Sequence, residues 1–130
     1  MGVFTKNEMT FLARQSIGRL ATLTASGDPT VVPVGFEVVG ASDVRIVGYQ
    51  LESSAKAKNL SRDARFAFVV DEGIGETARG ILIRGRGSLE SNASGAAWIR
   101  LVPAAITSWG IDTHPFERNR RTVDTEKEAG

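Results

Sequence analysis

Two strand-like stretches, 18–25 and 30–39, the second rich in β-branched residues, meet at Ser26-Gly27-Asp28-Pro29, and that junction restricts the fold more than any other segment. Glycine accepts a positive φ and proline presets its own, so these four residues call for a tight turn. The flanking stretches are therefore predicted to pair as a hairpin. Further strands are expected at 44–49, 65–70 and 80–89, with a weaker one at 104–109, separated by segments such as Gly40-Ala41-Ser42-Asp43. Short strands with few helices between them point to a mainly β chain closed into a small barrel. A doubly wound sheet would need a strand–helix alternation that the sequence lacks.

Within 31–39 both faces are largely apolar, which predicts a strand buried on both sides. Pro33 removes a ladder donor and Gly35 offers no side chain, so the same strand should carry a local defect. That defect is either a simple bulge or an edge where a flat ring can approach the backbone. Helices are expected in three places. Thr5 and Glu8 have capping-box spacing, with Phe4 and Met9 placed as a hydrophobic staple. Ser53 and Ser54 precede a helix running to about Arg62. Asn92 or Ser94 would cap a third, carrying Trp98, Ile99 and Leu101 and ended by Pro103. Residues 122–130 are polar and charged and are expected to be disordered.

Composition excludes several classes of function. With 130 residues and 42% hydrophobic content the chain reads as one domain. A formal net charge of +1 leaves no electrostatic footprint for nucleic acid or an anionic membrane. The absence of cysteine removes disulfides, zinc–thiolate clusters and thiol catalysis. No signal-peptide core opens the chain, and no apolar run approaches the about 20 residues a spanning helix takes, so a cytoplasmic location is expected.

Ser53-Ser54-Ala55-Lys56-Ala57-Lys58 combines hydroxyls, a helix N-terminus and two ammonium groups, the ingredients of a phosphate seat. The competing reading is a plain helix cap with both lysines in water. Gly73-Ile74-Gly75-Glu76-Thr77-Ala78 imitates a dinucleotide fingerprint but leads into a strand rather than a helix, and is read as a loop. His114 has no nominated partners for a triad or a metal, and no metal site is expected. Arg84 and Arg86 should reach one side of their strand, either lining an anion pocket or facing solvent or a subunit contact. Trp109 is read as core, as an interface residue or as a ring-stacking group. With no nucleophile motif and no acid–base pair, catalytic residues stay unassigned, and any chemistry is expected to belong to a cofactor.

Taken in order, Gly18-Arg19-Leu20-Ala21-Thr22-Leu23, the 26–29 turn, Val32-Pro33-Val34-Gly35-Phe36, Ala55-Lys56-Ala57-Lys58-Asn59-Leu60 and Asp63-Ala64-Arg65 resemble the pyridoxamine-phosphate-oxidase-like split-barrel family. The similarity is greatest to the branch that uses the deazaflavin coenzyme F420. The segments 80–87 and 106–111 resemble its OxyR-type subgroup of tetracycline reductases. Two departures stand out: Ala104-Ala105 where a basic residue is expected, and Ala64 where proline is usual. The resemblance implies an FMN-binding-like split β-barrel of Greek-key topology over residues 1–112, a polar tail over 113–130, and a homodimer with cofactor sites at the subunit interface. It sets the cofactor phosphate near Ser53, Ser54, Lys56 and Lys58 and the ring against Val32, Pro33, Val34, Gly35 and Phe36, with Trp109 nearby. The implied activity is hydride transfer from reduced coenzyme F420 to a conjugated enone or similar unsaturated small molecule. An FMN-dependent oxidoreductase of the same fold and a non-catalytic flavin carrier are the alternatives.

Overall fold

The computed structural model describes residues 2–124. Helix α1 spans Lys6–Ala13. Strands β1 (Ile17–Leu23), β2 (Pro29–Val39) and β3 (Asp43–Val47) form an antiparallel meander. A single 3-10 turn and helix α2 (Ala55–Arg62) then carry the chain to β4 (Arg65–Glu72), which pairs with β1. Strands β5 (Arg79–Ser91), β6 (Ala97–Trp109) and β7 (Arg118–Thr122) complete a sheet ordered β3-β2-β1-β4-β5-β6-β7. Pairing of Val44 with Leu101 and Ile46 with Ile99 joins β3 to β6 and closes a six-stranded barrel. The run β4-β1-β2-β3 is a Greek key, as expected of the split barrel. Beyond β3, the same edge of β6 takes β7, from Ala105 opposite Thr122 to Trp109 opposite Arg118.

The barrel interior is aliphatic and aromatic because inward positions alternate with outward ones along each strand. Leu20, Val44, Ile46, Phe68, Ile83 and Leu101 are essentially inaccessible. Phe36 and Phe68 meet edge to face with ring centroids 5.2 Å apart, a favoured aromatic geometry. Gly18 makes room for this pair: a Cβ there would stand 2.3 Å from Phe68 Cζ.

The capping box of α1 forms as the spacing predicts. Thr5 Oγ1 accepts from the Glu8 amide at 3.0 Å, and Glu8 Oε1 accepts from the Thr5 amide at 2.9 Å. Ser54 caps α2, accepting from the Ala57 amide at 3.2 Å while donating to the Leu51 carbonyl at 2.6 Å. Ser54→Ala should therefore cost about 1 kcal/mol of stability. Urea unfolding tests this, and an unchanged midpoint would show the cap to be dispensable.

Four sequence expectations are corrected. The third helix does not form, and residues 97–109 are one strand. Asn92 caps a turn instead, its Oδ1 accepting from the Ser94 and Ala96 amides. The segment 31–39 is not buried on both sides: Val31 is 62% and Val32 37% exposed. Nor does β2 bulge at Pro33 and Gly35, since it pairs with β1 in unbroken register from Pro29 to Gly35. The irregularity lies instead between Arg84 and Gly85 on β5, opposite an extra residue, Ala104, on β6. The polar segment after Asp112 supplies β7. The remainder of the expected disordered end, 125–130, lies outside the described residues.

Candidate functional site

Strand β3 is shorter than β2, and their ladder begins at Gly35 opposite Val47. Residues Pro29 to Val34 of β2 are therefore paired to β1 on one side only. Helix α2 lies beside this single-paired stretch because Asn59, buried on its inner face, donates from Nδ2 to Thr22 Oγ1 of β1 at 3.0 Å. Arg62 Nη2 donates to Asn59 Oδ1 at 2.7 Å and fixes the amide's orientation. Between helix and strands lies a groove of about 150 Å³ lined by Leu20, Thr22, Thr30, Val32, Pro33, Ala55, Lys56 and Asn59.

The groove joins an apolar wall to a cationic end. Ser54 Oγ and the Leu51 carbonyl satisfy the Ala57 and Ser54 amides. The amides of Ala55 and Lys56, in the first turn, have no partner within the helix, as at every helix start. With the Lys56 side chain they form a donor set suited to a phosphate, while Val32, Pro33 and Leu20 offer an apolar surface and β2 a free backbone edge. These residues fit a phosphate-bearing flavin-type group.

The expected site residues divide accordingly. Lys56, Val32 and Pro33 come together. Lys58 does not join them: two residues further along a helix it points away, into a second groove with Glu52, Ser61 and Leu89. Ser54 is committed to capping, and the exposed Ser53 hydroxyl donates to the Gln50 carbonyl at 3.2 Å. Val34 is buried, and Phe36 belongs to the core against Phe68. Gly35 is laddered on both sides. Trp109 stands near the other end of β6, over Gly80, with the Arg118 guanidinium 4.7 Å from its ring centroid. Within one chain it is not part of the Lys56 groove.

Two residues lining the groove carried no signal of their own. Thr22 and Asn59 look like an ordinary strand threonine and a helix-interior asparagine until tertiary pairing joins them. The 73–78 segment is a loop with one 3-10 turn, as expected. His114 Nδ1 accepts from the Phe116 amide at 3.2 Å, a local turn contact. Among the described residues no group of three or more His, Cys, Asp or Glu is placed to hold a metal ion, and no helix is long and apolar enough to cross a membrane.

A closed antiparallel barrel with a cationic helix start facing a single-paired strand edge defines a class of small β-barrels with an open groove beside the sheet. Comparison with known proteins makes the assignment narrower. Residues 4–126 match the pyridoxamine 5'-phosphate oxidase family, and the chain belongs to that family. A 5a,11a-dehydrotetracycline/5a,11a-dehydrooxytetracycline reductase of Streptomyces rimosus is 37% identical over 120 residues, with 84% of each chain covered. Among solved structures, a conserved hypothetical protein of Mycobacterium tuberculosis superposes with a TM-score of 0.70 at 20% identity, covering 82% of this chain and 85% of the other. An FAD binding protein of Mycobacterium smegmatis gives 0.64 at 16% identity, covering 93% of this chain and all of the other. At these identities the two structures show a shared fold.

Proposed function

We propose that this protein is a reductase of small unsaturated molecules that uses the deazaflavin coenzyme F420. The observation that carries the reading is the groove in which Lys56 and the first amides of α2 face the single-paired stretch of β2. The Streptomyces rimosus reductase supports reduction as the reaction type. The bound coenzyme would supply a hydride to an electrophilic carbon, such as that of a conjugated enone. Lys56 neutralises the phosphate, and the free β2 edge offers backbone hydrogen bonds to the polar rim of a ring. Val32 and Pro33 give the ring an apolar surface, and Leu20 closes the groove floor. Lys56 is committed to the phosphate and the Thr22 hydroxyl to Asn59, and a proton from solvent completes the reduction.

A homodimer with its cofactor sites at the interface belongs to the same proposal. Ile17 and Val31 are 55% and 62% exposed, and a second copy would cover them. A cytoplasmic location is part of it too. FMN is the second reading, favoured by the shared fold with the FAD binding protein, since FMN and coenzyme F420 both carry a phosphate on a ribityl chain.

Titration of cofactor-free protein with coenzyme F420 and, in parallel, FMN tests the choice by cofactor fluorescence. Selective F420 binding, followed by turnover of enones with the reduced coenzyme, is the expected result. Selective FMN binding would move the protein to the ordinary flavins. Tight F420 binding without turnover of any enone would make it a carrier, and binding of neither would remove the proposal.

A further inference from the structure

A second cleft lies outside the Lys56 groove and shares only Thr22 with it. Its volume is about 180 Å³, and its walls are Ala21, Leu23, Pro29, Phe66 and Ala67, with Arg65 as the one charged lining residue. Beside it, β5 carries the two arginines that the sequence singled out. Arg84 stands opposite Ala67 and Arg86 opposite Arg65, both exposed.

The pairing of Arg65 with Arg86 is unusual because like charges directly opposite on antiparallel strands repel. One carboxylate moderates it. Asp63 Oδ2 accepts from Arg65 Nη2 at 2.7 Å and Oδ1 from Arg65 Nε at 3.0 Å. Those hydrogen bonds, with the nearby Arg86 charge contributing, hold the Asp63 carboxyl down at about 2. The side chains of Arg84 and Arg86 make no hydrogen bond or ion pair among the described residues. One guanidinium, Arg65, thus lines an apolar cleft with its charge engaged by Asp63, while those of Arg84 and Arg86 stand on the neighbouring strand, opposite the lining residues Ala67 and Arg65.

We propose that this cleft binds an amphipathic organic anion, its hydrocarbon body against Ala21, Leu23, Phe66 and Ala67 and its acid group against Arg84 and Arg86. Planar guanidiniums suit carboxylate and sulfonate oxygens because each offers two parallel N–H donors. A bound oxyanion also relieves the Arg65–Arg86 repulsion, so apolar burial and charge neutralisation act together. The site needs no flavin, and it stands or falls separately from the Lys56 groove.

The test uses the full chain without cofactor and three probes, naphthalene-2-carboxylate, naphthalene-2-sulfonate and the neutral 2-naphthalenemethanol, followed by calorimetry and amide NMR. Both anions should bind and shift the amides of residues 65–67 and 84–86, with the alcohol roughly tenfold weaker or worse. The double substitution Arg84→Gln with Arg86→Gln should reduce anion binding to the level of the alcohol and leave the alcohol unchanged. Both positions are exposed, and an unchanged melting temperature confirms the fold. Equal binding of acid and alcohol overturns the proposal, as does failure of every probe. Sedimentation supplies a third check: a change of oligomeric state in the double variant, with no probe bound by the parent, overturns it by assigning the arginines to a contact between copies.

Discussion

Arg121→Met should destabilise the protein by about 3–5 kcal/mol, the largest loss expected from a single polar substitution in this chain. Glu8 is fully buried, and its carboxylate is held by Arg121, with Nη2 donating to Oε1 at 2.5 Å and Nη1 to Oε2 at 3.1 Å. Arg121 Nη2 also donates to the Val3 carbonyl at 2.9 Å, so one guanidinium ties β7 to both the N-terminal segment and α1. Removing it leaves a carboxylate in the interior with only the Thr5 amide donating to it. The cost is that of an uncompensated buried charge, larger than the net worth of the pair itself. Adding Glu8→Gln to Arg121→Met should recover more than half of the loss, because the amide oxygen still accepts from Thr5 and no charge remains. Urea unfolding of the two variants decides this. A single variant as stable as the parent, or a double variant no better than the single, would show that the pair is not what holds β7.

The same pair marks how far the sequence could be read. The capping box was legible because Thr5 and Glu8 are three residues apart and their hydrogen bonds are local. That Glu8 would be sealed inside by an arginine 113 positions away was not, because nothing local to either residue implies the other. Strand β7 was missed for a related reason. Arg118-Asn119-Arg120-Arg121-Thr122 has no apolar alternation, and its inward arginine is tolerated only because Glu8 waits for it.

Strand β6 was misread through its periodicity. Its buried positions are Ile99, Leu101 and Pro103, then Ile106 and Ser108. The phase changes at Ala104, the extra residue at the register shift, so period-2 alternation breaks in mid-strand. Trp98, Ile99 and Leu101 then imitate a helical spacing. By contrast, the 26–29 turn, the β1–β2 hairpin and the start of α2 rest on adjacent residues and emerged where expected. The candidate site was half legible for the same physical reason. Lys56 could be singled out by its place at a helix start, but which lysine faces β2 depends on how Asn59 docks on Thr22, a tertiary fact.

That docking leads to the second large effect. Lys56→Ala should weaken cofactor binding by about 1.5–3 kcal/mol, or roughly 10- to 150-fold in Kd, the range for a lost hydrogen bond to a charged group. Lys58→Ala, on the far side of the same helix and lining a different groove, should change it by less than about 0.5 kcal/mol. The sequence treats these lysines as equivalent members of one phosphate seat, whereas the structure separates them, so the pair of variants is a direct test of the groove. Both leave the Ser54 cap and the Asn59–Thr22 hydrogen bond in place, and neither should shift the melting temperature appreciably. Fluorescence titration with coenzyme F420 and FMN reads the outcome. Equal losses in the two variants would return the phosphate to a diffuse cationic helix surface. A loss confined to Lys58→Ala would move it to the groove of Glu52 and Ser61, detaching the cofactor from the free edge of β2. Only loss at Lys56 with sparing of Lys58 keeps phosphate and ring in one continuous site, because Lys56 alone shares a groove with Val32 and Pro33.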